Sequence, residues 1–433
     1  MKMTREEKSW IAYDWANSVY ATIMVAAIFP IYFTQMSSGS GEAGDFWWGI
    51  ATSIATLLLA LSAPIIGALA DYKGWKTILF RVFLAIGISF TLFAGIVTSW
   101  PLLLLGYVIS HIGWSGTLLL CDSFLTDITS RDRMDKISAI AYASGYIGGS
   151  TIPFLVSILL VSFGDRIGLT GTIPVRISVI ITAVWWAVFT IPFLRNVKQK
   201  YGKERPKDHL LIMTFSSILF TFKAIMRDTA VWLFLCAYFF YIDGVNTVIG
   251  MATAYGAELG LDTTGMIVAL LVTQIVAIPC ALIFGYISRR TTAFMLILFA
   301  VVVYIFICIL GFIMGYGLEE SYFDKNVALS LFWLLAVMVG TVQGGIQAVS
   351  RSYYCKLIPP DRSGEYFGFF DIFGKFAAVL GPLLYAMIKK LTGRSSFSIL
   401  SIIVLFGIGF IILCMGRKVM MRAENRPVET PQD

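Results

Sequence analysis

The segment YIDGVNTVIG, residues 241–250, places an aspartate and an asparagine in the middle of an apolar stretch. A second segment, YDWANSVYA at 13–21, has the same pattern near the start of the chain. The two align as Asp-x-x-Asn-Ser-Val-x-Ala and Asp-x-x-Asn-Thr-Val-x-Gly, with an offset of 229 residues. Because a carboxylate in an apolar environment is costly unless it is neutral, paired or hydrated, the repetition predicts a shared structural role in two related halves.

The same offset relates further positions of the two halves. They include Asp122 and Arg351, Asp132 and Asp361, Gly145 and Gly374, and Pro153 and Pro382. Several matches at a single shift indicate an internal repeat, and halves of the same orientation require an even number of membrane crossings in each.

The composition indicates a membrane protein, since 58% of the 433 residues are hydrophobic and only 14% are charged. Apolar runs long enough to cross a hydrocarbon core of ~30 Å as helices occur twelve times. The fold class is therefore predicted to be all-α and integral to the membrane. The predicted spans lie near 10–35, 46–70, 77–99, 101–125, 137–163, 173–195, 229–255, 264–288, 292–316, 326–352, 365–388 and 395–416.

The net charge of +7 is explained by topology and does not require a nucleic-acid partner. Of the 33 Lys and Arg residues, 26 lie in the N-terminus, in the loops after even-numbered spans and in the tail. Positive charge accumulates on the cytoplasmic side, so both termini are predicted to be cytoplasmic. The segment 210–226 is predicted to be an amphipathic helix on the inner surface and not a further span.

These observations predict four segments. They are an N-terminal six-helix bundle at 1–195, a basic cytoplasmic linker at 196–228, a C-terminal six-helix bundle at 229–416 and a cytoplasmic tail at 417–433.

Several motifs make the chain resemble the major facilitator superfamily. GALADYKGWKT at 67–77 is similar to that superfamily's signature between helices 2 and 3, whereas GYISRRTT at 285–292 has Arg289 in the acid's place. YDWANS, YIDGVNTVI, VQGGIQAVSRS and GKFAAVLGPLL resemble the vacuole-effluxer branch, which is named for fungal vacuolar amino-acid exporters. The resemblance implies two pseudo-symmetric bundles, spans 1, 4, 7 and 10 around a central cavity, a monomer, and a place in a bacterial plasma membrane.

Three side chains are predicted to carry the coupling proton, namely Asp243, Asp14 and His111. Asp243 has about twelve apolar residues on either side and Asp14 lies closer to the cytoplasmic end. For His111 the reason is that histidine has an unperturbed pKa of about 6.5, which suits a proton switch. The structural alternatives are hydrogen bonds between helices for the two acids and a satisfied structural role for the histidine. Sodium as the coupling ion also stays open.

The predicted cargo-binding residues lie at helical spacing on four spans. In spans 1 and 7 the i, i+3, i+4 pattern aligns the polar residues after each acid, and in spans 4 and 10 a second pair of stripes is expected to line the cavity. Amides are also common contacts between membrane helices, which is the alternative for the asparagines. The residues are Asn17, Ser18, Asn246, Thr247, Trp114, Ser115, Gln343 and Gln347.

Four residues are predicted to act as gates. The resemblance places Asp71 between Arg81 and the N-terminal end of span 11, where free N–H groups favour an acid. Asp122 and Arg351, equivalent by the repeat, are predicted to pair across the halves, and the alternative is pairing within each half with Asp127 or Lys356.

The sequence thus predicts a secondary active transporter for a small polar or zwitterionic solute, with an amino acid favoured by the resemblance, working by alternating access and proton coupling. An exporter of amphipathic drugs or lipids is the alternative. The chain contains no Walker-type loop, H-E-x-x-H or G-x-S-x-G pattern, and only two histidines, so neither an enzyme nor a cofactor is expected. Two rocking halves also argue against a channel.

Overall fold

The computed structural model describes residues 2–38, 44–206, 209–288, 290–322 and 324–425. Within these ranges the protein is helical, and twelve helices are long and apolar enough to cross a membrane, as the sequence predicts. Numbered in chain order as spans 1 to 12, they are Arg5–Thr34, Trp47–Ala70, Trp75–Ile96, Trp100–Ser123, Met134–Ile167, Ile173–Asn196, Thr229–Glu258, Val268–Ile287, Ala293–Glu319, Lys325–Leu357, Pro360–Thr392 and Ser395–Glu424.

The chain divides into two compact units. Unit 1 contains Met1–Ser130, Ile140–Ile218 and Pro360–Ile372, and unit 2 contains Arg131–Ala139, Leu219–Pro359 and Phe373–Asp433. Each unit therefore holds most of six consecutive spans and, in addition, a short segment from the opposite half of the sequence. The first residues of span 11 pack in unit 1, and the first residues of span 5 pack in unit 2.

Side-chain caps fix where several helices begin. Thr4 and Glu7 form a capping box at span 1, with Thr4 Oγ1 accepting from the Glu7 N–H at 3.1 Å and Glu7 Oε2 accepting from the Thr4 N–H at 2.8 Å. Asp228 accepts from the N–H groups of Ala230 and Val231 at the start of span 7. Such caps satisfy N–H groups that have no partner inside the helix, so they position each span along the chain.

Spans 1 and 5 each contain a π-helical turn. These turns are Ala21–Ala27 and Tyr146–Thr151. The first comes directly after the polar residues Asp14, Asn17 and Ser18, which we call the Asp14 stripe. A π turn widens the helix and interrupts its periodicity, and such turns occur frequently at functional sites.

Spans 3 and 4 approach each other closely in unit 1. A Cβ atom added at Gly113 would lie 2.4 Å from the backbone nitrogen of Gly87 and 2.5 Å from its Cα. Membrane helices gain much of their association energy from such backbone contacts, because lipid gives no hydrophobic drive between them. Glycine at 113 is therefore required by the packing of span 4 on span 3.

The long linker forms the helix that the sequence predicts. We call Leu210–Arg227 the linker helix. It is not among the candidate spans, and several of its apolar side chains are exposed, including Leu219 at 61%. Before it, Tyr72 and Lys203 form an isolated parallel bridge that joins the linker to the loop after span 2.

The C-terminal end differs from the predicted boundary. Span 12 continues to Glu424, beyond the expected end at 416, because its last turns bury Met420 and Ala423 against the protein. Arg289 and residues 426–433 of the predicted tail lie outside the described residues.

We expect Gly113→Ala to lower the free energy of unfolding by at least about 1–3 kcal/mol, because the new methyl group meets backbone that cannot rotate away. Thermal unfolding of the purified protein in detergent measures this loss. The matched variant Gly407→Ala, where nothing lies within 4 Å of the added atom, should leave stability equal or raise it. Equal melting temperatures for the two variants would contradict the proposed contact.

Candidate functional site

The carboxylate of Asp243 is fully buried in span 7. Its Oδ1 accepts a hydrogen bond from the backbone N–H of Gly381 in span 11, at 3.0 Å and within unit 2. Its Oδ2 has no hydrogen-bond partner among the residues that the structure describes. Because a buried oxygen without a partner is costly, this position is suited to bind a proton, a cation or a polar group of the cargo.

Gly381 allows spans 7 and 11 to approach at this acid. A Cβ there would lie 1.8 Å from Thr247 Oγ1 and 2.9 Å from Asp243 Oδ1. Thr247 Oγ1 is itself buried beside this carboxylate and makes no hydrogen bond of good geometry in the described part of the chain. Two predicted site residues therefore lie together against the backbone of span 11, just before Pro382. The Gly-Pro pair in GKFAAVLGPLL was the only sequence signal for this contact.

The polar stripe of span 1 is bonded within its own helix. Asn17 Nδ2 donates to the carbonyl of Tyr13 at 2.9 Å and to Asp14 Oδ1 at 3.5 Å. Ser18 Oγ donates to the carbonyl of Asp14 at 2.8 Å. Asp14 and Asn17 are buried, whereas Ser18 is half-buried. The stripe is thus pre-ordered by local hydrogen bonds, and its role in transport stays a prediction.

An aromatic group surrounds the predicted residues of span 4 in unit 1. Trp114 stacks on Tyr20, with ring centroids 5.1 Å apart, and the His111 ring lies 5.4 Å from Trp114. The Trp114 Nε1 donor is buried and has no acceptor among the described residues, and Ser115 beside it is also buried. Because Tyr20 covers one face of the indole, Trp114 offers cargo at most its other face and its N–H.

Gln343 lies at a cavity inside unit 2. The cavity is partly open and lies between spans 7, 8, 9, 10 and 12. Its walls are mostly apolar, with Thr273, Gln274 and Gln343 among the few polar side chains that line it. Two other predicted residues of unit 2, Asn246 and Gln347, are half-buried. The cavity can accommodate an apolar group beside a small number of amides, which the sequence did not predict.

The signature-loop acid caps span 11 within unit 1. Asp71 Oδ1 accepts from the N–H of Gly364 at 2.7 Å, and Oδ2 accepts from the N–H of Glu365 at 2.9 Å. We call these three residues the Asp71 latch. Burial raises the pKa of the Asp71 carboxyl to about 7, although the nearby Lys76 charge and the Glu365 N–H lower it. The contact with span 11 has the geometry that the resemblance implies, and its role in gating stays a prediction.

The basic residue of span 3 beside this latch is Lys76, whereas Arg81 was expected there. Lys76 is fully buried, pairs with Asp127 at 2.8 Å and donates to Ser363 Oγ at 2.9 Å. Arg81 is exposed, and it has no hydrogen bond or ion pair with any residue that the structure describes. Five positions separate the two on span 3, so their side chains point about 140° apart around the helix.

Arg351 is bonded to the start of span 5 in unit 2. Its Nε donates to Ser138 Oγ at 3.0 Å and its Nη2 to the Ser138 carbonyl at 3.3 Å. Lys356, one turn further, pairs with Asp135 at 2.6 Å and with Glu424 at 3.3 Å. The pairing of Asp122 with Arg351 across the halves stays a prediction.

Comparison with known proteins identifies the family. Residues 49–419 match the family described as "Vacuole effluxer Atg22 like". The uncharacterized MFS-type transporter YxiO of Bacillus subtilis (strain 168) is 41% identical over 420 residues, which cover 95% of each chain. Autophagy-related protein 22 of Yarrowia lipolytica (strain CLIB 122 / E 150) is 28% identical over 325 residues, which cover 69% of this chain and 53% of that protein. The chain thus spans about half the length of the fungal relative.

Solved structures agree on the fold. The chain is similar to FucP, a major facilitator superfamily transporter in the outward conformation, with a TM-score of 0.68, 13% identity and coverage of 94% of this chain and 98% of that one. It is also similar to the human organic anion transporter MFSD10, with a TM-score of 0.61, 15% identity and coverage of 94% and 99%. At such identities the likeness shows the fold alone, and YxiO, FucP and MFSD10 are described as transporters and not as enzymes. The chain therefore belongs to the vacuole effluxer Atg22-like family and has the fold of the major facilitator transporters.

Proposed function

We propose that this transporter is a secondary active carrier that moves a small polar or zwitterionic solute by alternating access and couples the movement to protons. Amino acid-like cargo is favoured by the family named for fungal vacuolar exporters, and the description of the family as effluxers supports export. In this mechanism the two bundles, 1–195 and 229–416, rock about a central site.

The observation that carries this proposal is the environment of Asp243. A buried carboxylate in a membrane span, with one oxygen bound to a backbone N–H and the other without a partner among the described residues, is arranged to exchange a proton or a cation. Thr247 and Gly381 complete this pocket of polar atoms. Asp14 and His111 in unit 1 are proposed as further proton carriers. Sodium is the alternative coupling ion, because carboxylate oxygens can also bind a metal cation.

The proposed orientation in the membrane and the oligomeric state follow from the distribution of charge and from the architecture. The excess of Lys and Arg at the termini and in the loops after even-numbered spans supports cytoplasmic termini. A monomer in a bacterial plasma membrane is the proposed state.

The apolar cavity of unit 2 favours a second candidate function. Its walls could hold the apolar part of an amphipathic drug or lipid, with Gln343 orienting a polar end. The amide and hydroxyl groups near Asp243 argue for the more polar cargo, so transport of amphipathic molecules is the second choice.

A thermal-shift screen of the purified protein tests the class of cargo. Amino acids, peptides, sugars, nucleosides, and amphipathic cations and lipids should be compared, because bound cargo stabilises the folded state by about 2.7 kcal/mol at a hundred times its Kd. We expect a rise in melting temperature with a zwitterionic solute. Stabilisation by the amphipathic group alone would replace the first candidate with the second.

The variant Asp243→Asn tests proton coupling. The asparagine Oδ1 can still accept from the Gly381 N–H, so the fold is retained while the titratable group is lost. In proteoliposomes with a pH-sensitive dye inside, we expect solute-driven proton movement to fall at least tenfold, a loss typical of removing a proton-transfer group.

Asp262→Asn is the control for that experiment. Asp262 is an exposed helix cap that accepts from the Gly265 N–H at 2.7 Å, and asparagine caps a helix equally well. This control should show the same solute-driven proton movement as the wild type. If Asp243→Asn also couples normally, the acid of span 7 is not the proton site, although the chain remains a transporter.

The raised pKa of Asp71 predicts a pH dependence of stability. Because the carboxyl has a pKa of about 7 in the folded protein and an ordinary value near 3.8, the folded state binds the extra proton between these two values. The free energy of unfolding should therefore decrease as pH rises through this window. We expect the melting temperature of Asp71→Asn to depend less on pH between about pH 4 and 7 than that of the wild type. A pH profile unchanged from wild type would show that Asp71 does not titrate in this range.

A further inference from the structure

The linker helix is amphipathic, but unlike a surface helix of a soluble protein it turns its polar face to the protein and its apolar face outward. Its polar residues Thr214 and Thr221 are buried against the protein. Its exposed side chains are largely apolar, with exposed fractions between 40% and 68% for Ile212, Met213, Phe215, Leu219, Phe220, Phe222 and Met226. In a chain with twelve spans, a helix that turns this face outward fits the hydrocarbon boundary of a bilayer leaflet.

Two basic side chains accompany that apolar face. Lys223 lies among the exposed aromatic residues and Arg227 ends the helix, and both side chains are exposed. Neither has a hydrogen bond or ion pair with another residue in the described ranges. The linker helix contains no acidic residue. Apolar side chains next to unneutralised cations are complementary to anionic phospholipids, whose acyl chains and phosphates lie side by side at the interface.

The opposite face of the same helix is bonded to the Asp71 latch. Ser217 Oγ donates to the carboxylate of Glu365, and Lys203 Nζ donates to the same oxygen at 2.8 Å. The backbone N–H of Glu365 is one of the two donors held by Asp71. A displacement of the linker helix therefore acts on Glu365, whose N–H forms part of the latch.

The linker also fixes the loop that carries Asp71. The Lys203 N–H donates to the Asp71 carbonyl at 2.7 Å, and the Lys73 N–H donates to the Lys203 carbonyl at 3.0 Å. The Tyr72 hydroxyl lies 3.4 Å from Thr214 Oγ1 on the buried face of the linker helix. The loop acid and the helix end that it caps are thus both attached to the linker segment.

We propose that the linker helix binds anionic phospholipids of the adjacent leaflet through its apolar face, Lys223 and Arg227, and that this binding stabilises the Asp71 latch. Lipid headgroups bound at Lys223 and Arg227 hold the helix at the membrane surface, which keeps Ser217 on Glu365 and Glu365 on Asp71. The membrane composition then sets how readily span 11 is released from the signature loop, whatever the cargo.

Hydrogen exchange of the full-length protein in nanodiscs tests the proposal. Exchange of the linker helix amides and of Gly364 and Glu365 is compared in phosphatidylcholine alone and in phosphatidylcholine mixed with increasing phosphatidylglycerol. We expect both groups of amides to exchange more slowly as the phosphatidylglycerol fraction rises. Soluble glycerol 3-phosphate added to phosphatidylcholine nanodiscs should not reproduce the effect, since it lacks acyl chains.

Three variants separate the steps. Lys223→Gln with Arg227→Gln should raise the phosphatidylglycerol fraction needed for half-maximal protection by about tenfold or abolish the protection, given the usual contribution of each basic residue at a membrane surface. Lys390→Gln, an exposed lysine at the end of span 11, is the matched control and should respond like the wild type. Ser217→Ala should keep lipid-dependent protection in the linker helix and lose it at Gly364 and Glu365.

Three results would overturn the proposal. Protection that does not depend on phosphatidylglycerol in the wild type would exclude the lipid site, and so would an unchanged response of the double variant. If lipid still slows the amide exchange of Gly364 and Glu365 in the Ser217→Ala variant, the connection to the latch would be excluded. None of these outcomes depends on the cargo or the coupling ion.

Discussion

A carboxylate that is buried in a membrane helix has to be stabilised by groups that the protein itself supplies, because the hydrocarbon offers none. For Asp243 the structure supplies one backbone N–H, from Gly381, and leaves the second oxygen without a partner among the described residues. That single hydrogen bond links spans 7 and 11 at the point where a glycine makes their contact possible. The proposed transport chemistry depends on this incomplete satisfaction, since the second oxygen is left available to bind a proton or a cation.

Two positions that the predicted repeat relates carry buried charges of opposite sign. Asp127 and Lys356 are related by the offset of 229, and both lie after the ends of equivalent spans or at them. Asp127 pairs with Lys76 in unit 1, whereas Lys356 pairs with Asp135 in unit 2. Each pair is buried, so removing one partner would leave an uncompensated charge, which is usually far more costly than replacing the pair. At positions related by the predicted repeat, unit 1 therefore buries an acid and unit 2 buries a base, each with a partner of opposite charge.

Much of the fold could be predicted because spans are recognised from length and hydropathy, and the linker helix from its flanking charges. The polar stripes were predicted from helical spacing, and Asp243 and Thr247 do share a face. Their partner Gly381 was not predicted, since it lies 138 residues from Asp243 and no local pattern connects them. The expected Arg81 contact was not found for a geometric reason, because Lys76 is the span 3 cation near the latch and Arg81 points away from it. The cavity beside Gln343 could not be predicted either, as empty space depends on how several helices pack.

The π turn of span 1 has a consequence for the directions in which the side chains before and after it point. A residue in an α-helix turns the chain by about 100°, and a π turn accommodates one residue more than an α turn of the same rise. If Ala21–Ala27 rewound as α-helix, the residues beyond it would rotate by that angle relative to Asp14, while the Asp14 stripe itself stayed in place. Span 1 is therefore a helix in two rotational sections that the widened turn joins.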